Sequence, residues 1–336
     1  MITLLIPIMS LAATVACSSA DAVVVPTGTG PDSSNVPPTT PPTTPPPTDT
    51  TPTTPPDTSH PTPPTSSGPS TNECASPKSG WLFCDDFESD RTAQYFEYNS
   101  ASGHFVRSTG TGVNGSTSMR AHFDVGQVDA GSLKLAFGKT PSSYIKPIDN
   151  GTTKYREIYW RAYLHNDSTW QGGGGDKWTR AQSLVTSTWA QAMVAPVWSG
   201  GSTSTRDYLL IDPATGIKSD SILATTTYND FPNLTWIGSV QSSTPVFDAA
   251  HVGRWHCVEA HVRLNDAGQS NGVFELWIDG TSQASRTNLN WVGSYSAYGI
   301  NTLFFENYWN AGSPRAQNRD FDNIVVSTSR IGCGTS

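Results

Sequence analysis

The chain has 336 residues, a formal net charge of -8, only 14% charged residues, and aromatic residues at 10% with 11 tryptophans. That balance leaves no broad basic surface, which excludes nucleic acid as a general partner, although a local basic cleft for an acidic polymer stays open. The structured part is expected to be one large all-β domain and a monomer, since β-sandwiches run to roughly 250 residues without splitting.

In chain order, residues 1–20 (MITLLIPIMSLAATVACSSA) carry an apolar run shorter than the roughly 20 residues of a bilayer span, followed at once by polar sequence. An export signal is expected, although the usual Lys or Arg near Met1 is missing. Thr14, Val15 and Ala16 before Cys17 are similar to a bacterial lipoprotein cleavage box. Lipidation of Cys17, tethering the chain to a bacterial envelope, is one expectation. Cleavage near Ala16 or Ala20 with secretion is the other. Residues 21–73 are a Pro/Thr/Ser stalk, because proline removes backbone donors and threonine offers no core.

The folded domain is expected over residues 74–336. With Cys17 set aside, Cys74, Cys84, Cys257 and Cys333 form an even set suited to an oxidising compartment, and the simplest pairing joins Cys74 to Cys84 and Cys257 to Cys333. The other two pairings stay open. WLFCDDFE (81–88) supplies a first strand and RDFDNIVVS (319–327) the last. Between them lie short β-like runs at 104–108, 118–125, 132–138, 181–200, 207–213, 221–230, 273–280 and 301–309, divided by Gly, Asn, Asp or Pro. Gly172 to Gly175 is a loop, either a cleft rim beside Trp170, Lys177 and Trp178 or plain surface. TSTWAQAM is short enough to leave helix or strand open.

The segment 154–165 (KYREIYWRAYLH) alternates strictly. Ile158, Trp160, Ala162 and Leu164 face one way, and Tyr155, Glu157, Tyr159, Arg161, Tyr163 and His165 the other. Residues 256–264 repeat the arrangement, with Glu259, His261 and Arg263 opposite His256, Val258, Ala260, Val262 and Leu264. Each strand therefore has a core face and a decorated face, as in a sugar-binding β-sandwich. HExxH, glycine-rich phosphate loops and GxSxG are absent, so no organic cofactor is expected.

Taken together, YREIYWRAYLHND, GGGGDKW, GRWHCVEAHVRLND, NGVFELWIDG and FDNIVVS resemble the jelly-roll polysaccharide lyases, the glucuronan, alginate and heparin lyase relatives. They also resemble noncatalytic laminin-type carbohydrate-binding sandwiches. The RxELR, QxH and YxKxGxYxQ set of other alginate lyases has no clean match. The resemblance implies a two-sheet, concanavalin A-like jelly roll and β-elimination on an acidic polysaccharide. Such a reaction needs a carboxylate neutraliser, a base and an acid. Arg161 is the expected neutraliser with Gln182 or Arg263 assisting, His261 the base, and Tyr159 or Tyr308 the acid. Tyr163, Lys177, Trp178, Glu259, Arg263 and Glu306 are expected to touch substrate. A glycoside hydrolase using two of Glu157, Glu259 and Glu306 is one alternative. A binding module stacking sugars on Trp170, Trp178, Trp198, Trp236 and Trp309 is another. The resemblance further implies a structural calcium ion near the paired chain ends, on Asp86 and Asp322.

Overall fold

The computed structural model describes residues 72–172, 175–219 and 221–334. The export segment, Cys17 and residues 21–71 of the stalk lie outside the described residues. The strands are β1 (Trp81–Asp85), β2 (Glu97–Asn99), β3 (Phe105–Thr109), β4 (Thr117–Phe123), β5 (Asp129–Ala136) and β6 (Glu157–Asn166). Next come β7 (Asp176–Leu184), β8 (Gln191–Ser199), β9 (Leu209–Ile211), β10 (Ala214–Thr215), β11 (Thr235–Trp236) and β12 (Val240–Gln241). The last are β13 (Trp255–Arg263), β14 (Gly272–Ile278), β15 (Thr281–Leu289), β16 (Thr302–Trp309) and β17 (Gln317–Ser327). No α-helix occurs among the described residues, only short 3-10 turns.

Two antiparallel sheets face each other as a concanavalin A-like jelly roll. The first runs β15, β14, β13, β6, β17, β4, β3, with β1 also on β17. The second runs β11, β10, β8, β7, β16, β5, β2, with β9 on β8 and β12 on β9. Alternation drives this layering, because a period of two sends every second side chain into the space between sheets. Ile158, Trp160, Ala162 and Leu164 of β6 and Val258, Ala260 and Val262 of β13 all enter the core, as their spacing requires. They meet Leu133, Ala181, Leu303 and Phe305 from the second sheet. Trp178 stacks on Phe321 across the gap at 6.3 Å.

The two decorated strands are neighbours, with Arg161 opposite Glu259 and Tyr159 opposite His261. The chain ends also meet, Cys84 opposite Val325. Disulfides join Cys74 to Cys84 and Cys257 to Cys333.

Two expectations need correction, and one left open is resolved. TSTWAQAM divides into a turn and the start of β8, since Ala190 returns its carbonyl to the Val185 amide. Residues 221–230 form a loop rather than a strand, held by the Thr226 and Asn233 contacts to Asp230. Glu73, placed in the stalk, begins a 3-10 turn and binds Arg161.

Candidate active site

The open face of the second sheet carries a cleft of about 350 Å³ whose walls include Lys134, Lys177, Arg180, Tyr228, Glu306 and Tyr308. Its centre is the β7/β16 pair. On β16 the alternation places Glu306 and Tyr308 toward the cleft, with Phe304 buried on the same side in a small apolar cluster, while Leu303 and Phe305 enter the core. On β7 the register shifts between Lys177 and Thr179. This bulge turns both Trp178 and Thr179 inward, where Thr179 accepts a hydrogen bond from the Trp160 indole at 3.0 Å. Lys177 and Arg180, three positions apart, therefore share the cleft face, a re-aiming that bulges commonly perform.

Lys177 lies opposite Tyr308, its ammonium 4.4 Å from the ring centroid. The residue is only 8% exposed, and Nζ makes no hydrogen bond or ion pair among the described residues. Burial pushes its pKa below the ordinary lysine value, partly opposed by the Glu306 carboxylate and reinforced by Arg180. Arg180, by contrast, has partners at both terminal nitrogens, although its buried Nε has none. It donates to Glu306 at 2.6 Å, to Asn229 Oδ1 at 2.8 Å and to the Tyr228 hydroxyl. Burial raises the Tyr228 pKa well above the ordinary phenol value, with Arg180 opposing. Lys134 pairs with Glu97 and lies over the Trp189 ring at 5.1 Å.

Gln182 is buried one position deeper in the sheet. Its Oε1 accepts from Gln191 Nε2, and Gln191 Oε1 accepts from the Asn229 amide at 2.9 Å. The chain of amides ties β7 and β8 to the loop that presents Tyr228 and Asn229. Gln182 thus stands behind the cleft, bracing that loop.

The sequence model of the family Polysaccharide lyase 14 matches residues 219–323. That segment takes in Tyr228, Glu306 and Tyr308 but stops short of Lys177 and Arg180 on β7. Among solved structures, the endo-β-1,4-glucuronan lyase of the fungus Trichoderma reesei aligns with a TM-score of 0.52 at 11% identity, covering 74% of this chain and 96% of its own. The alginate lyase of the marine Aplysia kurodai gives 0.47 at 13% identity, over 68% of this chain and 88% of its own. An alginate lyase from Chlorella virus gives 0.48 at 11% identity, over 70% and 100%. A search of curated protein sequences finds no match. The family match supports a polysaccharide lyase acting on a polysaccharide, and the likeness to the fungal enzyme shows the jelly-roll fold.

The expected site residues fall into two separate groups. Gln182, Lys177, Glu306 and Tyr308 belong to the cleft sheet. Arg161, His261, Tyr159, Tyr163, Glu259 and Arg263 belong to the outer face of the first sheet, so the structure does not bring the expected neutraliser and base to the cleft. Arg161 is fully buried, paired with Glu73 and donating to the carbonyls of Asn323 and Gly332, each at 3.1 Å. Glu259 accepts the Ile331 and Gly332 amides at 2.7 and 3.2 Å. His261 sits between Glu157 and Glu275, both at 2.8 Å, stacked on Tyr159 at 4.1 Å. Burial raises the pKa values of Tyr159 and Tyr163 to about 12. Arg263 donates to the Asn271 carbonyl. The residue types were those of a cleft, but the terminal segments cover the Arg161 and Glu259 end of this face.

Trp170, Trp178 and Trp309 are core residues, leaving only Trp198 and Trp236 of the five tryptophans open to a sugar. Glu306 is separated by the sandwich from Glu157 and Glu259, and it pairs with Arg180, so it forms no carboxylate pair across one cleft with either. Asp86 accepts the Cys74 amide at 3.0 Å. Asp322 accepts the Val113 and Asn323 amides at 2.8 and 2.7 Å. Both carboxylates are thus engaged by backbone amides, and among the described residues no group of three or more His, Cys, Asp or Glu side chains is placed to hold a metal ion.

The sequence reading passed over Arg180, Tyr228, Lys134 and Asn229. Lys177 and Arg180 are out of phase with a period of two, so only a bulge signal would have linked them.

Proposed function

We propose that the chain is a polysaccharide lyase that cleaves a uronic-acid polymer by β-elimination in the Lys177/Tyr308 cleft. The observation that carries this reading is the Lys177 ammonium, buried without a carboxylate partner of its own and facing Tyr308. An unpaired buried cation is costly, and a substrate carboxylate entering the cleft supplies the missing charge. With that carboxylate neutralised, the proton on C5 becomes removable. The C5–H electron pair forms the C4–C5 double bond as the C4–O bond breaks, and the departing oxygen takes up a proton.

Tyr308, at the cleft mouth and 38% exposed, is the group that exchanges protons with the sugar. One phenol that hands its own proton to O4 while its oxygen takes the C5 proton ends as it began, and this requires both on the same face of the ring. Glucuronate and mannuronate meet that condition, whereas guluronate and galacturonate do not. Arg180, Glu306 and Tyr228 hold the cleft floor, and Gln182 braces it from behind.

The test is turnover of glucuronan, mannuronan and guluronan, read by the ultraviolet absorbance of the new double bond and in parallel by reducing ends. Unsaturated product from the first two, lost in Lys177→Ala and Tyr308→Phe, is the expected result. Reducing ends without unsaturation would instead identify a hydrolase, and retention without turnover a binding module.

A further inference from the structure

Beyond the pocket, the cleft face continues toward the sheet edge in aromatic side chains. Trp198 on β8 is the direct cross-strand neighbour of Lys177, and on this strand Ala195 and Val197 point to the core, which leaves Trp198 on the cleft side. Trp236 on β11 packs against Trp198 with ring centroids 5.8 Å apart. Phe231, itself a wall of the pocket, lies nearly parallel to Trp236, at 6.4 Å and 18°. Phe231 and Trp236 are 43% and 41% exposed, unusual for rings this large.

We propose that Trp198, Phe231 and Trp236 form a subsite that stacks a pyranose ring of the same polysaccharide chain, some units along from the sugar at Lys177. The subsite rests on the lyase reading for its position in the reaction but not for its chemistry. Flat aromatic rings recognise the apolar C–H face of a sugar rather than its carboxylate. Continuity through Phe231 and through the Trp198/Lys177 pair means that one extended chain meets both regions. The lyase therefore engages the polymer over several sugars, and its efficiency rises with chain length.

The probes are glucuronate and mannuronate oligomers of graded length, the parent polymers, and neutral cello-oligosaccharides. Binding is read by indole fluorescence and by retardation in polysaccharide-containing gels, using the full chain. Trp236→Ala and Phe231→Ala, each checked for a wild-type melting temperature, are expected to bind the polymers about three- to tenfold more weakly. Both should flatten the gain in kcat/KM with oligomer length, and Trp236→Phe should restore most of it. Wild-type retention and length dependence in both alanine variants would overturn the subsite while leaving the lyase intact. A wild-type protein that binds cello-oligosaccharides through Trp236, yet neither binds nor cleaves a uronate polymer, would overturn the lyase reading and keep the stacking platform.

Discussion

Lys177 decides whether the cleft works as proposed, because its charge is both functionally required and physically disfavoured. Burial lowers its pKa, so the ammonium is lost at a lower pH than for an ordinary lysine at about 10.4. Since only the charged form neutralises a carboxylate, turnover should fall as pH rises through that lowered value. Lys177→Arg keeps its charge throughout this range and should push the alkaline limb upward, even at reduced kcat. A limb that stays in place in Lys177→Arg would detach it from this residue. Lys177→Ala should cost roughly a hundredfold or more in kcat, the scale of losing one preorganised electrostatic contact. Tyr308→Phe should lose about 10²–10⁴-fold if the hydroxyl carries the proton. At this scale the sequence was partly legible. Tyr308, Glu306 and Lys177 could be named as residue types suited to a uronic sugar, but Arg180 could not be tied to Lys177 without the bulge.

At the scale of the elements, β6 and β13 show how alternation can be read correctly and still assign the wrong task to a face. Their core sides and their pairing were both available from a period of two, since each strand opposes apolar and polar residues without a break. What a period cannot reveal is what lies on top. Glu73 reaches Arg161 from 88 positions away, and the 331–332 backbone reaches Glu259 from 72 and 73 positions away. Arg161→Ala would leave Glu73 and two backbone carbonyls without their buried donor, a loss of about 3–5 kcal/mol for breaking one side of a buried pair. Thermal or urea unfolding should register that loss. The variant's kcat, measured where it remains folded, should match wild type, because no part of Arg161 reaches the cleft sheet. A selective loss of kcat at unchanged stability would return Arg161 to the reaction.

At the scale of the molecule, the terminal segments cover part of one outer surface of the sandwich, and the proposed cleft lies on the other. Part of the first sheet's outer face is sealed by the segments before β1 and after β17, whereas the second sheet's face stays open around Lys177. The seal is covalent as well as ionic. Cys257 on β13 joins Cys333, closing 76 positions of chain, and Cys74 joins Cys84 beside the strand that pairs with β17. The pairing found is the simplest one for the even cysteine set, but parity alone left two others open. A loop of that length makes the Cys257 link the more stabilising, since more chain freedom is removed from the unfolded state. Replacing Cys257 and Cys333 together by Ser should cost about 2–5 kcal/mol and lower the melting temperature. The tail after β17 should then become accessible to proteolysis, with Glu259 losing the Ile331 and Gly332 amides it holds. The cleft lies on the other sheet, so residual folded protein should keep the wild-type KM for its polymer. If KM rose in step with tail release, the two surfaces would be coupled through the core rather than independent.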